Sequence, residues 1–543
     1  MQGGGAQAAQ LVFLVLLVAV IAFAALARKL RLPYPIVLVL AGLVISFLPG
    51  LPRITLAPDF IFYVVLPPLL YAAAWVTSWR EFSYNLVSIA SLAIGLVSFT
   101  VAGVALSAPF ILPAFDWRTG FVLGAVVSTT DAIAASTIAR QMGLPRRIVD
   151  VLEGESLVND ATGLLALEFG VSILVSGMPP SAVHALLRFG QLVAGGLAVG
   201  LVIGFIVRGV ETHIDDGPIE IAISILVPYA AYLIAEGVHG SGVLAVVAAG
   251  LFLSRKSSQF FSPTVRIQVY AVWGALTFVL NGLVFLLIGL QLPLVLAGIR
   301  EYGLGTLALS GAAFSALVIA LRLAWVFPGA RFAYFIRRRV LHQPESVPPA
   351  RQLVVLGWTG MRGVIALAAA LALPHTLPGG VPFPQRNLIV FITFCVILAT
   401  LVAQGLTLPP LIRLLGLQGS SGPACEEREA RRIAVESALG HLEQSRPRDR
   451  PDLAPIYDDL ALHYRQRLAG LTGEASSQQG QPVDPEHDIR YRDLSRELAK
   501  IERDAAIRLR DEGRIDDDAL RQIEHELDLT DVRLQEARSG GPR

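Results

Sequence analysis

The chain has 543 residues, of which 54% are hydrophobic and only 16% charged, with a mean hydropathy of +0.60. A soluble protein of this length carries nearer a quarter charged residues, so the composition favours a polytopic membrane protein. The net charge of +1 says little, because orientation follows where Lys and Arg sit, and two cysteines, Cys395 and Cys425, exclude a disulfide framework or a Cys-based metal site.

The first apolar run, Leu11–Ala27, has no basic residues before it and is followed by Arg28, Lys29 and Arg31. Its length suits a full span, so it reads as a retained first helix and not as a cleaved signal peptide. Further runs able to cross ~30 Å of hydrocarbon follow. The pattern predicts thirteen membrane helices, near residues 9–27, 35–50, 59–77, 84–109, 119–140, 149–176, 183–207, 218–237, 241–254, 268–293, 304–328, 353–375 and 387–413. Alternate loops carry the arginines and lysines: Arg28, Lys29 and Arg31; Arg80; Arg140, Arg146 and Arg147; Arg208; Arg255, Lys256 and Arg266; then Arg331, Arg337, Arg338, Arg339 and Arg351. The other loops hold only Arg53, Arg118, Arg188, Arg300 and Arg386. The positive-inside rule then places the N-terminus outside a cell membrane and the C-terminus in the cytoplasm.

From about Gln418 the composition turns soluble in type. Residues 1–417 are therefore the membrane part, and 418–543 a cytoplasmic helical region. Glu427–Glu443 reads as an amphipathic helix, 455–470 and 486–510 continue the charged helical pattern, and Gly473–Pro485 reads as a linker. Beyond Gly513, Ile515, Leu520, Ile523, Leu527 and Leu534 recur at roughly helical spacing, with Asp516 a candidate N-cap. No nucleotide-binding loop or metal cluster is found there, and no nucleic-acid partner is expected.

Two predicted spans carry charge. Ser128-Thr-Thr-Asp131 interrupts the fifth, and Glu153-Gly-Glu-Ser-Leu-Val-Asn-Asp160 lies in the sixth. A charged side chain at bilayer depth costs at least ~2.5–3.5 kcal/mol, so such groups face a protein interior or a wet cavity and suggest an ion or proton pathway. On a helix, Ser156 and Asp160 share a face with Glu153 and Gly163, while Glu155 and Asn159 share a neighbouring one. Desolvation favours a protonated carboxyl and a bound cation favours the charged form. One carboxylate that takes either a proton or a cation is the minimum machinery for antiport. The plain alternative is that these acids pair with arginines only to hold helices together.

The fifth span is rich in hydroxyls around Thr129-Thr130-Asp131, and the twelfth reads Gly357-Trp-Thr-Gly360-Met-Arg362-Gly363. Such stretches unwind in transporters and line a central ion site, and their placement seven helices apart suits an inverted repeat. The alternative reading of the glycines is small-residue helix packing. Arg322 and Arg362 are the available intramembrane counterions, one for Glu155 and the other for Glu153 or Asp131. Asn281 and His239 are weaker signals, more typical of helix–helix hydrogen bonds, and Glu168 and Glu220 lie toward span ends.

These residues carry a resemblance. Ser-Thr-Thr-Asp131, Gly-Glu-Ser-Leu-Val-Asn-Asp160, Ala-x-x-x-His239-Gly-Ser-Gly-Val-Leu-Ala, Asn281-x-Leu-x-Phe-x-x-x-Gly-Leu and Gly-Met-Arg362-Gly-Val-Ile-Ala-Leu-Ala are similar to the motifs of the cation:proton antiporter-1 family, over about residues 9–415. The resemblance implies an all-α polytopic fold: thirteen transmembrane helices, inverted repeats, two unwound crossing helices and a helical cytoplasmic tail. It further implies a lipid-embedded homodimer in which a six-helix core moves against a dimer domain. The implied activity is Na⁺/H⁺ exchange for pH and sodium homeostasis, with no enzymatic function and no cofactor beyond the transported Na⁺ (or K⁺, Li⁺) and H⁺.

By the same resemblance Asp160 binds the cation and the proton, helped by Ser156 and Thr130. Asn159 and Asp131 steady the crossing, and Glu155 is a structural acid paired with Arg322 or Arg362. An Asn159-Asp160 pair, in place of two acids, implies one cation for one proton. After Leu66-Pro67-Pro68 many relatives carry an acid, where this chain reads Leu70-Tyr71-Ala72-Ala73-Ala74. That departure leaves K⁺/H⁺ exchange as the alternative. A channel, or an ion sensor signalling through the tail to an unknown cytoplasmic regulator, is the rival of another class.

Overall fold

The computed structural model describes residues 3–30, 32–47, 56–178, 181–299, 302–343, 348–378, 380–417, 422–445, 454–472 and 485–539. Hydrocarbon offers no partner for backbone N–H and C=O groups, so an apolar chain of this length satisfies them within helices. Among the described residues, nine helices are long and apolar enough to cross a membrane, and Tyr34–Ile45 and Phe60–Val76 are shorter apolar ones.

In chain order the helices are α1 (Gly3–Leu30), α2 (Tyr34–Ile45), α3 (Phe60–Val76), α4 (Trp79–Ile111), α5 (Trp117–Ser128), α6 (Ala132–Gln141), α7 (Arg146–Ser176) and α8 (Ala182–Glu211). They continue as α9 (Gly217–Gly237), α10 (Gly242–Phe260), α11 (Pro263–Leu290), α12 (Leu292–Ala297), α13 (Leu304–Arg339), α14 (Ala350–Trp358), α15 (Val364–Leu371) and α16 (Arg386–Leu414). Side-chain caps mark the entries: Ser78, Asp116, Ser181, Asp216, Ser241 and Ser262 each accept a backbone N–H from the first turn.

The helices pack as two groups. In one, α1, α2 and α3 lie with α8 to α11; in the other, α4 to α7 lie with α13 to α16. Glycines set the closest approaches in the first group. A Cβ on Gly42 would strike the carbonyl of Leu286, and one on Gly289 would strike that of Val39, so α2 and α11 meet backbone to backbone.

Several helices outrun the hydrophobic pattern. The span predicted to end at 328 continues to Arg339, so Arg331, Arg337, Arg338 and Arg339 lie on α13 and not in a loop. Pro328 sits inside that helix without ending it. Likewise α10 carries Arg255 and Lys256 in its last turns. Single π-helical turns occur at Phe60–Val65, Ser91–Leu96 and Thr400–Gln404. The first precedes Pro67 and Pro68, whose missing N–H groups disrupt the ordinary ladder.

The C-terminal region forms α17 (Gly422–Ser445), α18 (Ala454–Thr472), α19 (Pro485–Asp511) and α20 (Asp517–Ser539). Val435, Leu442, Tyr457, Leu460, Leu494 and Leu498 close one small core, and Leu509, Ile515, Leu520, Ile523 and Leu527 a second. Asp516 accepts the Ala519 N–H at 2.7 Å and caps α20. The boundary at Gln418 and all but the last residue of the Gly473–Pro485 linker fall outside the described residues.

Candidate ion site at two broken helices

Two spans are interrupted. Between α5 and α6 the residues Thr129, Thr130 and Asp131 leave the helix, with Thr129 and Asp131 extended, and between α14 and α15 the break runs over 359–363. The breaks touch: the Asp131 N–H donates to the Met361 carbonyl at 2.8 Å. The Asp131 carboxylate accepts the Ile133 N–H at 2.8 Å and so caps α6, where the helix dipole favours a negative charge. Gly363 packs directly on that carboxylate, which occupies the space a Cβ would need.

Loose ends of the half-helices are taken up by side chains. Ser156 Oγ donates to the Thr130 carbonyl at 3.0 Å and accepts the Ala132 N–H at 3.3 Å. Arg362 Nη1 donates to the Ser128 carbonyl at 3.2 Å, at the C-terminal end of α5, and its backbone N–H donates to Thr400 Oγ1 at 3.1 Å. Arg322 Nε and Nη2 donate to the Leu356 carbonyl, near the end of α14, at 3.3 and 3.1 Å. Cations thus sit at the carbonyl ends and a carboxylate at an amide end.

Behind the crossing lies a buried polar chain. Arg322 grips Glu155 with two donors, Nη1 to Oε1 at 2.5 Å and Nη2 to Oε2 at 2.8 Å, and both side chains are at most 2% exposed. Thr130 Oγ1 donates to Glu155 Oε1 at 3.0 Å and accepts from Asn159 Nδ2. Arg322 is therefore the partner of Glu155. Arg362 departs from the sequence expectation: among the described residues it makes no ion pair with Glu153 or Asp131. Arg140 of α6 holds Glu153 instead, with Nη2 within 2.9 Å of Oε1. Arg140 reaches Glu153 because α6 packs beside α7.

Asp160 is 2% exposed, and its Oδ1 has no hydrogen-bond partner among the described residues. It lines a cavity of about 200 Å³ with Thr129, Thr130, Asp131, Ser136, Thr137, Glu153 and Ser156. The α3 wall of that cavity is Leu66, Leu69, Leu70, Ala73 and Val76, and carries no acid. A second cavity, of about 320 Å³, meets α7 further along, at Val158, Ala161, Thr162, Leu165 and Glu168, and also holds Asp59, Arg188, Glu236 and His239. Glu168 pairs there with Arg188 at 3.2 Å, and His239 has a left-handed backbone, φ 58°. Asn281 is buried on α11 and Glu220 on α9, and neither lines the Asp160 cavity.

Sequence reasoning missed Arg140, Thr400 and the carbonyls of Ser128 and Leu356. The hydroxyl of Thr400 inside an apolar run was the one signal that pointed to such a contact. A carboxyl with an unpartnered oxygen, among hydroxyls and helix ends, has the chemistry to exchange a proton for a small cation.

Known proteins are similar to this chain in sequence and in fold. The family described as sodium/hydrogen exchanger, transmembrane, matches residues 14–414. A relative named as an uncharacterized Na⁺/H⁺ exchanger of Mycobacterium tuberculosis is 32% identical over 94% of this chain and 93% of its own length. The Na⁺/H⁺ antiporter ApNhaP of Aphanothece halophytica is 32% identical over 76% of this chain and 75% of its own length. A sodium, potassium, lithium and rubidium/H⁺ antiporter of Bacillus pumilus is 30% identical over 82% of this chain and 66% of its own length. In fold, the chain is similar to the sodium proton antiporter MjNhaP1 of Methanocaldococcus jannaschii, with a TM-score of 0.57 at 19% identity over 74% of this chain and 98% of that one. A match spanning both broken helices and the Asp160 helix places the chain in the sodium/hydrogen exchanger family of membrane cation/proton antiporters.

Proposed function

We propose that the chain exchanges Na⁺ for H⁺, one for one, by alternating access at Asp160. The observation that carries this reading is the Asp160 carboxyl itself, buried with an unpartnered oxygen in a cavity lined by Thr130, Asp131 and Ser156. A cation entering the cavity would take Asp160 with Ser156, Thr130 and nearby backbone oxygens as ligands, and its departure would leave the carboxyl to a proton. Asn159 contributes no second charge, which supports electroneutral exchange. Asn159, Asp131, Glu155, Arg322 and Arg362 hold the crossing.

We read the helices as thirteen crossings in inverted repeats, with the N-terminus outside and the tail in the cytoplasm. The group of α4 to α7 with α13 to α16 would move against the other, and the other would pair with a second copy. The exchange would serve pH and sodium homeostasis. The acid-free α3 wall favours a second reading, K⁺/H⁺ exchange, and the breadth of cations in the Bacillus pumilus relative's name supports it.

Purified protein in proteoliposomes should dissipate a pH gradient when Na⁺ is added, at a rate unchanged by an imposed membrane potential. Asp160→Asn should abolish this while leaving a monodisperse, folded protein. Cation-dependent proton flux persisting in Asp160→Asn would sink the proposal, and uncoupled cation flux would favour a channel. Comparing K⁺ and Li⁺ with Na⁺ ranks the substrates.

A further inference from the structure

A groove of about 700 Å³ runs between α4 and α13, and none of the residues around Asp160 lines it. Leu86 and Ile94 of α4 and Phe332 of α13 form an exposed rim, where a span meets hydrocarbon. Two departures from regular helix shape the groove. The π-helical turn Ser91–Leu96 lies on its α4 side, and Pro328, which offers the Ala324 carbonyl no N–H, lies on its α13 side. Trp325 crosses between the two helices: its indole donates to the Ser91 carbonyl at 3.0 Å, and its ring fills the space a Cβ on Gly95 would need.

The groove is apolar along its length and ends at positive charge. Trp325 meets Ser91 while Arg337 meets Tyr84, so α4 and α13 run antiparallel, and Leu86 and Ile336 mark the tail-side end of the groove. Arg339 follows Ile336 by three residues and Phe332 by seven, so it continues the groove face one turn further. Arg338 stands beside it. Both are exposed, with the Arg339 guanidinium 6.0 Å from the Phe335 ring and Arg338 Nη1 donating to the Tyr334 hydroxyl at 2.7 Å. Among the described residues neither forms an ion pair. Two more arginines, Arg147 and Arg337, line a smaller pocket that shares Ser91 and Gly329 with the groove.

An apolar trough with cations at one end matches a lipid that carries a net negative charge. A zwitterionic headgroup would bring its own cation against the arginines, and a soluble anion would leave the trough unfilled. Basic sites between membrane helices take anionic headgroups in this way. Trp325 lies ~21 Å along the helix from Arg339, and half of the hydrocarbon is ~15 Å thick. The far end of an acyl chain whose phosphate sits at the arginines therefore reaches the indole. We propose that the α4–α13 groove binds an anionic phospholipid of the tail-side leaflet, with an acyl chain against Trp325 and the phosphate on Arg338 and Arg339. The proposal does not depend on the exchange reading.

The test reconstitutes the full chain in phosphatidylethanolamine vesicles with a minority of phosphatidylglycerol, bromine being carried near the acyl-chain end of one lipid or the other. Bromine quenches a tryptophan it touches. The chain has 6 tryptophans, so the Trp325 signal is the difference between the unmodified protein and Trp325→Phe. Brominated phosphatidylglycerol should quench Trp325 at least about fivefold more than its share of the bilayer accounts for. Arg338→Gln with Arg339→Gln should remove that excess, and added glycerol phosphate should leave it unchanged. Quenching in proportion to lipid abundance would mean ordinary boundary lipid and overturn the proposal. So would an excess that survives the double substitution, or one that glycerol phosphate displaces. Should Trp325→Phe fail to fold, native mass spectrometry decides: the unmodified protein should retain phosphatidylglycerol over phosphatidylethanolamine, and the double arginine variant should not. Equal retention of both lipids by the unmodified protein overturns the site.

Discussion

Glu155 and Arg322 neutralise each other in a place neither could occupy alone. Removing one partner of a buried pair leaves an uncompensated charge, at a cost of about 3–5 kcal/mol. Arg322→Ala should therefore lower the thermal unfolding temperature sharply and reduce yield in detergent, and Glu155→Leu with Arg322→Met should recover much of that loss. Unchanged unfolding in Arg322→Ala would show that the pair is not a structural support. Gly363 makes a different demand. The Asp131 carboxylate fills the space of its absent Cβ, so Gly363→Ala must push Asp131 off its α6 cap or part the two breaks. We expect exchange to fall by at least about tenfold, because misplacement by an ångström can cost far more. A Gly363→Ala protein with wild-type initial rates would count against a fixed Asp131. Asp160 and Glu155 were legible in the sequence because charge is conspicuous among leucines and valines. The assignment of Glu153 to Arg140 was not: the two are 13 residues apart, on helices whose relative turn no local pattern encodes.

At the scale of elements, the breaks could be read from composition. Hydroxyls around Thr129-Thr130 and three glycines between 357 and 363 weaken a helix, and the helix is lost over 129–131 and 359–363. Helix ends were read less well. Arg337 is buried on α13 against Tyr84, its guanidinium 4.4 Å from the ring centroid, so packing carries that helix past the end of the apolar run. Periodicity sees only apolar residues and stops where they stop. The π-helical turns left no trace in the apolar pattern, yet one of them starts at Thr400, whose hydroxyl receives the Arg362 N–H. Thr400→Val keeps the shape and removes that acceptor, leaving a buried donor unpaired at a cost of roughly 1–3 kcal/mol. The expected outcome is lower thermal stability with the cation preference unchanged. An altered ranking of Na⁺ and K⁺ in Thr400→Val would mean that this threonine does more than hold the second break.

Across the whole molecule, the two cavities approach α7 from different positions along its length. One reaches Glu153, Ser156 and Asp160, and the other Val158, Ala161, Thr162, Leu165 and Glu168. The two sets interleave between Leu157 and Ala161, so on a helix with about 3.6 residues per turn the voids meet α7 beside Asp160 on different faces. Asp160 lines the first cavity and not the second, as the proposed exchange by alternating access requires. If proton and cation compete for that carboxyl, the apparent KM for the cation should rise about tenfold for each pH unit of acidification through the range where the carboxyl protonates, with the maximal rate little changed. A KM independent of pH would deny competition at one site. Accessibility tests the geometry itself. In the Cys395→Ser, Cys425→Ser background, a thiol at Ala73 faces the Asp160 cavity and one at Leu165 faces the other. An impermeant maleimide should reach Ala73→Cys from the tail side and Leu165→Cys from the opposite side. Labelling of both thiols from the same side would put the two cavities on one face and remove the basis for alternating access.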